Sequence, residues 1–187
     1  MKNTDKNLVE KAAYFSLSGD VNSDMVHRVF EASAQMSEHG VSTAHVLLHS
    51  HGGYVSDGIC LYNFLRNSSV EFVMYNGGAV ASIAVVLFLA GRRRLASKTA
   101  RFMIHKSHAS APGGASPQAL QIIAEGLVAD DLRTESILKE HLSLSRKHWD
   151  IHSHLDLHFT SKDAIAVGLI DKIGDFSPPR GARLVNI

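Results

Sequence analysis

The sequence predicts an α/β fold, a parallel sheet built from βαβ units with one long helix projecting from it. Three observations carry that prediction. Short apolar runs of strand type alternate with segments of helical period. Glycine pairs, Gly52-Gly53 and Gly77-Gly78, stand where those runs stop. The stretch from Ser116 to about Leu142 holds no proline after Pro117 and a single glycine, Gly126. No linker or low-complexity segment divides the chain and no repeat is visible, so residues 1–187 read as a single domain.

Element by element, a first strand is expected near Tyr14-Phe15-Ser16-Leu17. Asn22 or Ser23 then caps a helix whose Met25, Val29, Ala32 and Met36 recur at helical spacing. Ala44–His49 reads as a buried strand broken by Gly52-Gly53. Val55–Arg66 reads as a helix with Ile59, Tyr62 and Leu65 on one face. Val70–Tyr75 is a second buried strand, closed by Gly77-Gly78. The run Ala79–Ala90 is apolar all round apart from Ser82, which predicts a buried helix ending at Gly91. Arg101–His105 is a short strand. Ser116 caps, and Pro117 suits the first position of, either one helix to Leu142, about 39 Å long at about 1.5 Å per residue, or two helices kinked near Gly126. Thr160-Ser161-Lys162-Asp163 opens another helix, and Leu169–Ile173 reads as a last strand.

Composition narrows the function classes. The 187 residues suffice for a real core, and a formal net charge of +1 gives no sign of a nucleic-acid or membrane-surface partner. One cysteine, Cys60, excludes an intrachain disulfide and fits a reducing compartment. The polar start Met1–Asn7 has no apolar segment behind it, so no secretory signal is expected. Ala79–Ala90 is too short to span a bilayer. A cytoplasmic protein is expected.

The chemistry centres on Gly77–Gly91. Ser82 would lie in the first turn of a buried helix, where backbone N–H groups are unpaired and the helix dipole is positive. That environment suits a nucleophile whose attack creates an oxyanion. The residues alone also admit a small hydroxyl filling a tight helix contact. Serine needs a base, usually a histidine held by a carboxylate, and a pair of N–H donors. His105 ends a strand, and Gly52-Gly53 forms a strand-to-helix turn where backbone N–H groups can approach a ligand. Spacing does not choose among the carboxylates, and 12 histidines give His105 no special claim by composition.

Several motifs in order resemble the Clp-type serine peptidases. His49-Ser50-His51-Gly52-Gly53 is similar to the family's Asn-Ser-Pro-Gly-Gly. Gly58-Ile59-Cys60-Leu61-Tyr62 resembles the following helix. Gly78-Ala79-Val80-Ala81-Ser82-Ile83 is similar to the nucleophile motif Gly-x-Ala-Ala-Ser-Met. Arg101–His105 resembles the strand carrying the catalytic histidine, and Asp163-Ala164 with Gly168-Leu169-Ile170-Asp171 resembles the closing segment. The resemblance runs from about Phe15 to Ile173. It implies the ClpP/crotonase-like fold of repeated ββα/βαβ units, with a core over about 15–173 and a handle over about 106–142.

Carried over residue by residue, the resemblance implies Ser82 as nucleophile and His105 as general base. Alignment back from Asp163-Ala164 implies Asp156 as the third member, with Asp150 as the fallback. The oxyanion donors are the N–H groups of Gly53 and Ile83, with Gly52 beside them. The implied substrate is a peptide or unfolded protein lying extended in the cleft. The implied assembly is a homo-oligomer, a heptameric ring or a pair of rings, fed by an AAA+ unfoldase, with no cofactor. Three features depart from the pattern. His51 stands where the family has proline, Leu155 where it often has a ring-locking arginine, and only about a dozen residues precede the first strand where the family has a longer unfoldase-docking segment.

Two other functions fit the fold class. A crotonase-type acyl-CoA hydratase or isomerase shares the glycine-built oxyanion hole, but it needs an acid–base carboxylate rather than a Ser-His pair. A catalytically inactive ring subunit usually lacks a triad member, and this chain keeps all three. His49 and His51 share a strand face, and His152, His154 and His158 cluster in sequence. Neither set has a clear further ligand, so no metal is expected. Arg92-Arg93-Arg94 reads as a solvated turn.

Overall fold

The computed structural model describes residues 11–187. The segment Met1–Asn7 lies outside the described residues. β1 (Ala12–Ser18), β2 (Thr43–Ser50) and β3 (Glu71–Ala81) form parallel pairs, linked by α1 (Ser23–Glu38) and α2 (Val55–Arg66). Asn22 caps α1, its side-chain oxygen accepting from Met25 N–H at 3.0 Å. The face of α1 predicted by period packs inward, with Met25, Val29, Ala32 and Met36 all buried. α3 (Ile83–Phe88) is buried on every side, as an all-apolar helix must be. Truncating its Phe88, which packs edge-on against Phe102 at 5.2 Å, would cost about 3–5 kcal/mol.

Gly77-Gly78 does not close β3. The strand runs on to Ala81, and its register against β2 slips at that point, from Leu48 opposite Asn76 to Ser50 opposite Val80. A side chain makes the irregularity affordable: buried Asn76 donates to Arg101 O at 2.9 Å and accepts from Gly78 N–H at 2.9 Å. Below the slip, β3 pairs with β4 (Arg93–Ala96); above it, with β5 (Arg101–Ile104). One strand thereby feeds two branches of the sheet, and the upper branch carries Ser82.

Arg92-Arg93-Arg94 is not a solvated turn, because β4 begins within it. Arg94 donates to the carbonyls of Leu169, Gly168 and Gly91 and so ties β4 to the closing segment. That segment is shorter as a strand than Leu169–Ile173. Leu169 and Ile170 are buried in the turn after α6 (Ser161–Ala166), and only Lys172–Ile173 pair with β4, as β7.

Four elements were not read from the sequence: β4, α5 (Arg146–His152), β6 (Leu157–Thr160) and β8 (Leu184–Asn186), which adds beside β1. The long helix is single. α4 (Pro117–His141) spans 25 residues, capped by Ser116 and unbroken at Gly126. Its C-terminal part is anchored to the body by buried Leu138 and by a 2.7 Å hydrogen bond between Tyr62 Oη and His141 Nε2. The preceding half leaves Leu120, Ile122, Val128 and Leu132 exposed. On this helix Leu138 belongs to the core and Leu127 lines a cleft.

Candidate active site

The upper branch of the sheet ends in a turn with an unusual backbone. Ser82 has φ 56° and ψ −133°, the one positive φ outside glycine among the described residues. Such a conformation costs on the order of 1–3 kcal/mol and is held by its surroundings. Ser82 N–H donates to Met103 O at 2.8 Å, extending the β3–β5 ladder through the turn. Gly52 packs directly behind, where a Cβ would stand 2.6 Å from the Ser82 Cβ. Ser82 precedes α3 rather than lying in its first turn, and its hydroxyl makes no cap hydrogen bond. The hydroxyl is therefore aimed away from the helix.

It meets His105. Ser82 Oγ and His105 Nε2 are 2.8 Å apart, a hydrogen bond in which the hydroxyl donates when Nδ1 carries the ring proton. His105 follows β5, and β6 runs antiparallel to β5 with Ile104 opposite Leu157. The next residues outward on the two strands are His105 and Asp156. Their Nδ1 and Oδ1 stand 3.7 Å apart, an ion-pair distance longer than a hydrogen bond. Asp150, the fallback, sits exposed on α5, where its carbonyl accepts from Ser153 Oγ.

Burial holds the His105 imidazole below the ordinary histidine range. His108, whose ring lies 5.0 Å away, adds to that shift, while Asp156 and Asp131 oppose it. A base of this kind is neutral above its pKa and lost below it. Any reaction that uses it should keep its rate down to a pH below about 6.5 and then fall. A rate profile with chemistry limiting checks this; a fall centred above about 6.5 would contradict it.

The two glycines have different jobs. Val21 N–H donates to Gly52 O and Tyr54 N–H donates to Val21 O, both at 2.8 Å. This bridge skips the Gly53 N–H, which no backbone group among the described residues engages. Ile83 opens α3, so its N–H is one of the helix's unpaired donors. Both lie along a cleft of about 570 Å³, lined by Ser82, His105, His51, Tyr54 and Leu127 among others.

Among the described residues no group of three His, Cys, Asp or Glu could hold a metal. The His49 and His51 rings lie 5.6 Å apart. His152, His154 and His158 do not gather: His152 is buried, His154 bonds Ser153 Oγ, and His158 stands opposite Met103 on β6. Sequence reading missed His108 and the Lys106 cluster. Lys106 pairs with Glu135 and Asp131 of α4, and Ser107 N–H donates to Asp131 at 2.7 Å, which fastens the chain leaving His105 to that helix. A charged residue directly after a strand histidine was the available signal.

A family model described as Clp protease matches residues 2–176. Among curated proteins, the ATP-dependent Clp protease proteolytic subunit of Ligilactobacillus salivarius is 29% identical over 165 residues, 84% of this chain and 80% of that protein. The ATP-dependent Clp protease proteolytic subunit 2 of Chlamydia trachomatis serovar D is 29% identical over 140 residues, 74% of this chain and 68% of that one. The corresponding subunit 2 of Corynebacterium glutamicum is 29% identical over 128 residues, and the chain spans 63% of its length. In fold, a ClpP1 mutant from Listeria monocytogenes superposes with a TM-score of 0.71 at 18% identity, covering 89% of this chain and 91% of that one. No helix among the described residues is long and apolar enough to cross a membrane.

Proposed function

The chain belongs to the Clp protease family, and from that premise we propose that it is a serine endopeptidase with Ser82 as nucleophile, His105 as general base and Asp156 as orienting carboxylate. The observation that carries this reading is the 2.8 Å approach of Ser82 Oγ to His105 Nε2 beside a substrate-sized cleft. The family supplies the peptidase; these residues supply its chemistry.

A peptide lies extended along the segment after Gly53 and presents a carbonyl to Ser82. Oγ attacks as Nε2 takes its proton, and the carbonyl electron pair moves onto oxygen. The N–H groups of Gly53 and Ile83 receive that oxyanion, a contribution of about 10²–10³ in rate per donor in comparable sites. The imidazolium returns its proton to the leaving amine as the C–N bond breaks. Water, activated by the same nitrogen, then releases the acyl group from Ser82. Asp156 stabilises the imidazolium and keeps the proton on Nδ1. Its contact at 3.7 Å is longer than a hydrogen bond.

Assembly follows from α4. Ile122 is 70% exposed and Leu132 66%, both on α4. Apolar side chains placed so are covered by a second copy. A homo-oligomeric ring or pair of rings acting on peptides or unfolded proteins, with an AAA+ unfoldase as partner, is the arrangement proposed. Ile122→Asp or Leu132→Asp should lower particle mass by light scattering and lower activity with it. A fully active monomer would contradict the proposal.

The deciding assay offers the protein a fluorogenic peptide and denatured casein, and separately an enoyl-CoA. Peptide hydrolysis without hydration is expected. Hydration without hydrolysis would point to crotonase chemistry, and neither activity to an inactive ring subunit; either result overturns the proposal.

A further inference from the structure

Asp156 is carried by the turn that follows α5, and that turn is built on α5. Ser153 N–H donates to Trp149 O at 3.0 Å, His154 N–H to Ile151 O at 3.2 Å and Leu155 N–H to Ile151 O at 2.9 Å. Asp156 is thus held from two sides, by the α5 turn before it and by the β5–β6 ladder after it, where Leu157 stands opposite Ile104. α5 has one buried residue, His152, only 2% exposed and packed edge-on to Trp149 at 5.7 Å.

A histidine is an odd choice for that seat. Its Nδ1 is buried and has no hydrogen-bond partner among the described residues. An apolar side chain would fill the same place without an orphaned polar atom. The charged and titratable groups facing it come from each element packed against it. His105 and Lys106 follow β5, and Asp131 and Glu135 stand on α4; His148 lies one turn earlier on the same helix as His152. Glu135 and Asp131 are already engaged by Lys106.

We propose that His152 is a positioning residue for the Ser82–His105–Asp156 site: neutral, it seats α5 so that Asp156 stands beside His105, and protonated, it unseats α5 and withdraws Asp156. The proposal rests on the catalytic reading above. A buried imidazolium beside Lys106 is disfavoured far more than a neutral ring. Burial holds His152 below the ordinary histidine range, Lys106 adds to this, and Glu135 and Asp131 oppose it. The seat is intact above about pH 6.5 and is lost as pH falls through the lowered value.

Trp149 is the sole tryptophan of the chain, and it touches His152. Its emission should fall as pH drops below about 6.5, in the wild type and in Ser82→Ala alike. It should stay flat in His152→Leu and still fall in His148→Gln. In peptide hydrolysis, the acid limb of log kcat/KM should be steeper than one proton in the wild type and close to one proton in His152→Leu. The activity of that variant at pH 8 should stay within about threefold of wild type. His152→Gln gives the same comparison if the leucine variant does not fold. Emission that titrates identically with and without His152, or acid limbs of equal slope, overturns the proposal. Absence of hydrolysis at every pH would overturn the catalytic reading instead, and the emission titration would still decide whether His152 governs the seat of α5.

Discussion

Ser82→Ala is expected to remove peptide hydrolysis, by about 10⁴–10⁶ in rate, and to leave the fold in place. The loss is large because nucleophile and base act as a unit. Without the 2.8 Å contact from Oγ to His105 Nε2, the imidazole has nothing to activate. The fold survives because alanine keeps the Cβ that packs over Gly52, and the positive φ strains alanine about as much as serine. Ser82 contributes no cap hydrogen bond to α3, so none is lost. Steady-state hydrolysis and a thermal melt check both halves. Retention of more than a few per cent of activity would remove Ser82 from its role.

Gly53→Ala should have the next largest effect, through the backbone. At φ +153° a Cβ would stand 2.2 Å from Val21 O and 2.8 Å from Val21 N. Those are backbone atoms of the bridge that holds the turn, so Val21 must move and the 2.8 Å bonds to Gly52 and Tyr54 must break or stretch. The Gly53 N–H moves with them. A loss of about 10²–10³ in kcat is expected, the scale of one oxyanion donor, together with a lower melting temperature. Gly78→Ala is the control. Its Cβ would meet the His49 ring at an ordinary 3.6 Å, and little change in either measurement is expected. Equal activity for Gly53→Ala and wild type would contradict the account of this turn.

The parts of the fold legible in the sequence are those with a local cause. The Asn22 cap, the apolar face of α1 and the all-apolar α3 each follow from side chains a few residues apart. The missed elements depend on distant partners. β4 consists of Arg93, Arg94, Leu95 and Ala96, a charged half and an apolar half, and it is a strand because β3 and β7 flank it. β6 is four residues long and exists as the antiparallel partner of β5. Gly77-Gly78 looked like a strand end because the Asn76 side chain that bridges the slip is a tertiary device. Gly126 left one helix or two open; nothing lies within 4 Å of where its side chain would be, and the intrinsic cost of about 1 kcal/mol does not break α4.

The candidate site divides along the same line. Ser82 stood out from its own neighbours, while His105 gained its claim only from the motifs around it. Asp156 was reached by counting back from the closing helix, and the register of β5 against β6 is what puts it beside His105. Asp131 and Glu135 come from an element remote in sequence, so no local pattern announces them, and His152 showed in the sequence only as a member of a histidine cluster.

The most direct test is covalent. The intact protein is treated with a fluorophosphonate, which forms a stable adduct only with an activated serine, and the adduct is located by peptide mass spectrometry. The account predicts a single adduct on Ser82 that forms more slowly as pH falls below the His105 titration and is absent from Ser82→Ala and greatly slowed in His105→Ala. An adduct on another serine, or none on a folded protein that hydrolyses peptides, would contradict it.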